Sequence, residues 1–205
     1  MTGESILVVC AANVCRSPLA ELTLRRGLGA GSAIAVHSAG VRAHEGDPIC
    51  TEVAGRHSED DWQEEAKAHR ARVVSPELLA GASLVLTASK DIRGELVRSA
   101  PEFRDRMFTL REAAHLGAGF RPGGSDPVAG YVAYLDRART RAVPLGGTAR
   151  RGRGVRRLFG SRSVADPTSI ADRHGSRGHA ETIREVEQAV DAIVTQIGEH
   201  RRRSS

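Results

Sequence analysis

An apolar run, Ile6 to Val9, passes directly into Cys10-Ala11-Ala12-Asn13-Val14-Cys15-Arg16-Ser17-Pro18, and no other stretch narrows the possible folds as much. The run has the length and β-branched content of a short buried strand. Ser17 suits a helix N-cap, and Pro18 suits the first helical position, where a missing N–H costs nothing. A strand, a tight loop and a helix start turn several backbone N–H groups toward one point, which makes an anion site. Cys10 enters that loop and Arg16 leaves it, so a sulfur nucleophile and a guanidinium face the same oxyanion. A helix N-terminus and a nearby cation favour thiolate over thiol. Arginine's planar fork holds two phosphoryl oxygens while charge spreads over them. The expected chemistry is displacement at phosphorus by Cys10. Residues Ala11, Ala12, Asn13, Val14, Cys15, Arg16 and Ser17 would surround the phosphate, and the Ser17 hydroxyl would assist the sulfur as it leaves.

The rest of the chain alternates strands and helices. Helix follows from Pro18 to a stop at Gly27 to Gly29, then a second strand at Ala33 to His37. Ser83 to Thr87 reads as a third strand, Ser89 to Ser99 as a helix, and Met107 to Leu110 as a fourth strand. A last helix, about His179 to Ile197, carries Ile183, Val186, Val190, Ile193, Val194 and Ile197 on one face. This order predicts a single α/β domain, a four-stranded parallel sheet with helices on both faces, and a phosphate-binding loop after the first strand at the carboxyl edge. Residues 47 to 68 are helical but irregular. Glu59-Asp60-Asp61 and Glu64-Glu65 make a solvated face there, with Trp62 covering a core edge.

Glycines and arginines mark residues 117 to 165 as an insertion into a domain spanning 1 to 200, around a helix at Pro127 to Arg139, with 201 to 205 a basic tail. The net charge of +5 is local to this segment. Nine arginines fall between 137 and 162 without an acidic residue, and the remainder holds 21 basic and 25 acidic side chains. With that distribution, and with only 3% aromatic residues to stack on bases, nucleic acid is not an expected partner. Met1-Thr2-Gly3-Glu4-Ser5 lacks the basic start of a signal peptide, and the apolar run behind it is too short to span a membrane. Three cysteines are too few for a disulfide scaffold, and the expected location is the cytoplasm. Cys10 and Cys15 also admit a metal-site or inert-core reading. Cys50 stands alone in sequence, without a Cys-x2-Cys pair, so no metal or other cofactor is expected.

Cys10-x5-Arg16-Ser17-Pro18 near the chain start resembles the signature of the low-molecular-weight protein tyrosine phosphatases. The likeness continues at Ser38-Ala39-Gly40, His69-Arg70-Ala71-Arg72, Ser83 to Thr87, Ala100-Pro101-Glu102-Phe103-Arg104, Phe108-Thr109-Leu110 and Asp166-Pro167. The resemblance implies a phosphotyrosine-containing protein substrate, with a bacterial tyrosine kinase as one candidate, and a cysteinyl-phosphate intermediate. Ser38 and His69 would support the loop through Asn13, and Cys15 would pair reversibly with the nucleophile under oxidation. The proton donor expected in an Asp-Pro loop before the last helix is Asp166, with Asp126 as the alternative; Asp47-Pro48 comes too early. Three positions depart from the pattern. Thr168-Ser169 replaces cleft tyrosines, the rim position falls near His44, and Ala12 replaces a glycine. Phe120, Tyr131 and Tyr134 are candidate replacements for the rim. Val14, where phosphoarginine-specific relatives have threonine, points to phosphotyrosine. Two other functions share the loop. One is arsenate reduction with a small-thiol partner, disfavoured by Asp166-Pro167, and the other is a non-catalytic phosphoprotein-binding module.

Overall fold

The computed structural model describes residues 3–141 and 166–198. Four parallel strands form one sheet: β1 (Ser5–Cys10), β2 (Ala35–Gly40), β3 (Leu84–Thr87) and β4 (Met107–Thr109), in the order β2-β1-β3-β4. β1 is central, pairing Val8 with Ser38 on one side and with Leu86 on the other. Every parallel pair needs a crossover, and helices supply them. The helices are α1 (Arg16–Leu28), α2 (Thr51–Ala54), α3 (Asp60–Ala68), α4 (Pro76–Gly81), α5 (Lys90–Ser99), α6 (Leu110–Leu116), α7 (Pro127–Arg141) and α8 (His179–Gly198).

Side chains alternate across the sheet with period two. Ile6, Val8, Leu84, Leu86 and Phe108 face the larger core with α1, α6, α7 and α8. Leu7, Val9, Val85 and Met107 face a smaller one with Leu79 of α4 and Ile92 and Leu96 of α5. Both faces are thus covered, which is why the strands read as continuous apolar runs. The expected stripe of α8 is the one that packs: Ile183, Val186, Val190, Ile193 and Ile197 are buried. α6 begins with a capping box, in which Thr109 and Glu112 each satisfy the other's backbone N–H.

Three expectations need correction. Helix α1 starts one residue before Ser17, with Cys15 as its N-cap. Ser17 therefore lies inside the first turn, and its hydroxyl is spent on the Cys10 sulfur and the Ala39 carbonyl instead of on a cap. Ser38 stands within β2, which runs to Gly40 because register with β1 continues to Cys10. Residues 117–141, expected to open the insertion, pack on the rest of the domain: Val128, Tyr131 and Leu135 of α7 are fully buried in the larger core. The arginine-rich stretch 142–165 and the basic tail lie outside the described residues.

Candidate active site

Cys10 is the last residue of β1 and is buried at the carboxyl edge of the sheet. Its Sγ accepts hydrogen bonds from the Asn13 amide at 3.3 Å and from Ser17 Oγ at 3.0 Å. Two donors on one sulfur stabilise negative charge there and leave a third direction for attack. Asn13 turns the chain with φ +57°, a left-handed conformation that asparagine tolerates. Gly40 is required opposite: a Cβ there would stand 2.6 Å from the Ala11 carbonyl oxygen and 2.9 Å from the Asn13 nitrogen. The end of β2 thus presses against the loop, and the amides of Val41 and Arg42 bind the carbonyls of Cys10 and Ala11.

The Asn13 side chain ties this turn to its surroundings. Its Nδ2 donates to Ser17 Oγ at 3.0 Å and to Ser38 Oγ at 2.8 Å, and its Oδ1 accepts from the Arg72 amide at 3.0 Å. Ser38 Oγ donates onward to Glu21 Oε2 at 2.5 Å. His69 Nε2 reaches the Asn13 carbonyl at 2.8 Å. Ser38 and His69 therefore both meet the loop through Asn13. Each buried polar group in the network has a partner, so the loop geometry is stiff.

Arg16 is buried at the first position of α1, aimed at the segment before α8. Its guanidinium donates to the Ile170 carbonyl at 3.2 Å and pairs with the carboxylate of Asp172. Ile170 is itself fastened to the sheet edge, its amide donating to the Ala88 carbonyl at 2.8 Å. Asp172, half exposed, is the carboxylate paired with that guanidinium.

Asp166, the proton donor expected from sequence, is occupied in its own turn. It accepts from the Thr168 amide and hydroxyl and from the Ser169 hydroxyl, and Lys90 Nζ stands 3.3 Å away. Partial burial pushes its carboxyl upward, but these donors outweigh it and hold the group below the usual aspartate range. Asp126 is further off still. It precedes α7, whose first amides bind the Glu4 carboxylate, and Glu4 lies before β1 while Cys10 ends it, about 17–20 Å along such a strand. The aromatic candidates are also displaced. Tyr131 is buried with its hydroxyl on the Ala113 carbonyl, and Phe120 and Tyr134 cluster with it. His44 is exposed. The pairing of Asp172 with Arg16 carries no sequence signal beyond its position shortly before the last helix, since no proline follows it.

Cys15 and Cys50, far apart in sequence, also meet. The Cys50 amide donates to the Val14 carbonyl at 2.8 Å, which sets the second cysteine beside the loop. His179 Nε2 lies 3.0 Å from Cys15 Sγ and 3.9 Å from Cys50 Sγ. The hydrogen bond between the two thiols pulls that of Cys50 down and pushes that of Cys15 up. Cys50, which has no Cys-x2-Cys partner in sequence, thus lies near Cys15 in space.

A cysteine and an arginine at the two ends of one loop, at the carboxyl edge of a parallel sheet, are an arrangement that suits a phosphatase working through a cysteine nucleophile. The chain belongs to the low molecular weight phosphotyrosine protein phosphatase family, whose profile matches residues 5–122. It is 38% identical over 107 residues to the low molecular weight protein-tyrosine-phosphatase Wzb of Escherichia coli K12, covering 51% of this chain and 67% of that one. It is 30% identical over 116 residues to Ptp of Acinetobacter johnsonii, covering 54% and 74%. Among solved structures, the YwlE arginine phosphatase of Geobacillus stearothermophilus superposes with a TM-score of 0.60 at 22% identity, covering 98% of this chain and 97% of that one. Wzb of Escherichia coli K30 in complex with phosphate gives 0.57 at 20%, covering 97% and 98%. These two likenesses reach past residue 122 and show the shared fold. No helix among the described residues is long and apolar enough to cross a membrane.

Proposed function

We propose that the protein hydrolyses phosphotyrosine in protein substrates, with Cys10 as nucleophile and Asp172 as proton donor. Cys10 Sγ attacks phosphorus, and the bond from phosphorus to the phenolic oxygen breaks. Arg16 and the loop amides hold the three non-bridging oxygens as charge develops on them. Asp172 protonates the leaving phenolate. The same carboxylate then takes a proton from water, the water oxygen bonds to phosphorus, and Cys10 departs with Ser17 donating to its sulfur. The observation that carries this reading is the pairing of Asp172 with Arg16, which puts one carboxylate beside the phosphate loop. A phosphoryl dianion in the loop competes for the same guanidinium, which releases the Asp172 carboxyl to face the leaving group. Cys15, turned to His179 and Cys50, takes no part in turnover. The family resemblance makes an autophosphorylated bacterial tyrosine kinase the partner to try first, and cysteine usage supports a cytoplasmic location.

The test is hydrolysis of p-nitrophenyl phosphate and of phosphotyrosine and phosphoarginine peptides by the wild type, Cys10→Ser, Asp172→Asn and Asp166→Asn. Cys10→Ser should be inactive. Asp172→Asn should lose about 10²–10⁴-fold in kcat, the usual worth of a general acid, and Asp166→Asn should stay near wild type. A large loss in Asp166→Asn with little in Asp172→Asn would reverse the assignment. Preference for the phosphoarginine peptide would overturn the substrate class.

A further inference from the structure

We propose that Cys15, Cys50, His174 and His179 form a structural zinc site that fastens the segment before α8 to the phosphate loop. The four ligand atoms lie within 4.8 Å of one another. A tetrahedron with zinc–sulfur bonds of about 2.3 Å and zinc–nitrogen bonds of about 2.0–2.1 Å has edges of roughly 3.3–3.8 Å. The sulfur–nitrogen distances of 3.0 and 3.9 Å at His179 bracket that range. The two histidines are separated by four residues, within the His-x3–5-His spacing of zinc sites. A donor set of two thiolates and two imidazoles in this arrangement selects zinc over magnesium, calcium or manganese.

The surroundings fit a metal. Cys15, Cys50 and His179 are buried, whereas His174 is exposed and provides the way in. The rings of His174 and His179 already meet edge to face, with centroids 4.9 Å apart. His179 Nδ1 stands 3.3 Å from Glu52 Oε2, a charge contact without hydrogen-bond geometry, while Nε2 is the ring nitrogen turned to the sulfurs. Zinc binding releases the thiol protons, and two thiolates neutralise the divalent ion, leaving a buried core without net charge. With four protein ligands no coordination position is open, which makes the site structural.

The ligands come from the N-cap of α1, the N-cap of α2, the loop before α8 and the first residue of α8. His174 follows Asp172 by two residues, and Cys15 immediately precedes Arg16. The ion would therefore bind together the two segments that carry the Arg16–Asp172 pair, without touching Cys10.

The full chain, purified without chelator, should hold about one zinc per molecule by elemental mass spectrometry, as four-ligand structural sites do. Cys10→Ser should retain it, whereas Cys50→Ala and the exposed His174→Ala should each lose at least tenfold in occupancy. Cobalt(II) added to metal-free wild type should give the visible bands of tetrahedral thiolate coordination, a readout independent of activity and of whether any variant folds. Wild type without zinc and without that cobalt spectrum would overturn the proposal. So would zinc that disappears in Cys10→Ser but survives in Cys50→Ala, or a Cys15–Cys50 disulfide in place of metal.

Discussion

At the scale of single residues, the two aspartates before the last helix divide the work of a carboxylate. Asp166 builds a turn and binds Lys90; Asp172 faces Arg16. The lowered carboxyl pKa of Asp166 fixes a sign for its effect on stability. A group whose folded pKa lies below its ordinary value of 3.8 stabilises the fold fully above that value, and the contribution is lost as pH falls through the folded value. Thermal melts should therefore show wild type losing more stability than Asp166→Asn between about pH 5 and pH 3. Asn13 does two things at once, holding φ +57° and bridging Ser17, Ser38 and Arg72. Asn13→Gly keeps the backbone freedom and removes the bridge. It should cost about 1–3 kcal/mol in urea unfolding, the price of buried groups left without partners, and should lower kcat as the loop loosens. Cys10, Asn13, Arg16 and Ser17 were legible in sequence because they are local: a strand end, a tight turn and a helix start lie within a few residues. The pairing of Asp172 with Arg16 was not, because it depends on where a distant loop returns.

At the scale of elements, the end of β2 packs closely against the loop after β1, with no room for a side chain at Gly40. Gly40→Ala would drive a methyl group into the Ala11 carbonyl and the Asn13 amide. Overpacking of this kind costs about 1–3 kcal/mol. Chemical denaturation should show that loss together with weaker phosphate inhibition, because the loop amides would be pushed out of line. Most elements were readable from period and punctuation, α5 through Ser89 as its N-cap and α8 through its apolar stripe. α7 was read as a helix but assigned to an insertion. Its glycine-rich approach and arginine-rich end suggested a solvated segment, whereas Val128, Tyr131 and Leu135 in between fill the larger core.

At the scale of the whole molecule, β1 joins the two cores and has a partner strand on each side. Its amides can open only when both cores do. Hydrogen exchange should find Leu7, Val8 and Val9 the slowest amides of the sheet, with β4 at its edge faster; equal rates would contradict this ordering. The sequence by itself determined the parallel α/β order and the tight loop from Cys10 to Arg16 between the first strand and the first helix, because these depend on hydrophobic period, turn chemistry and residues close in the chain. Only the tertiary structure decided which carboxylate meets Arg16, that Tyr131 belongs to the core, and that Cys15, Cys50, His174 and His179 share one space. Those juxtapositions depend on where crossovers of different length bring the chain back, and no local pattern of residues records that.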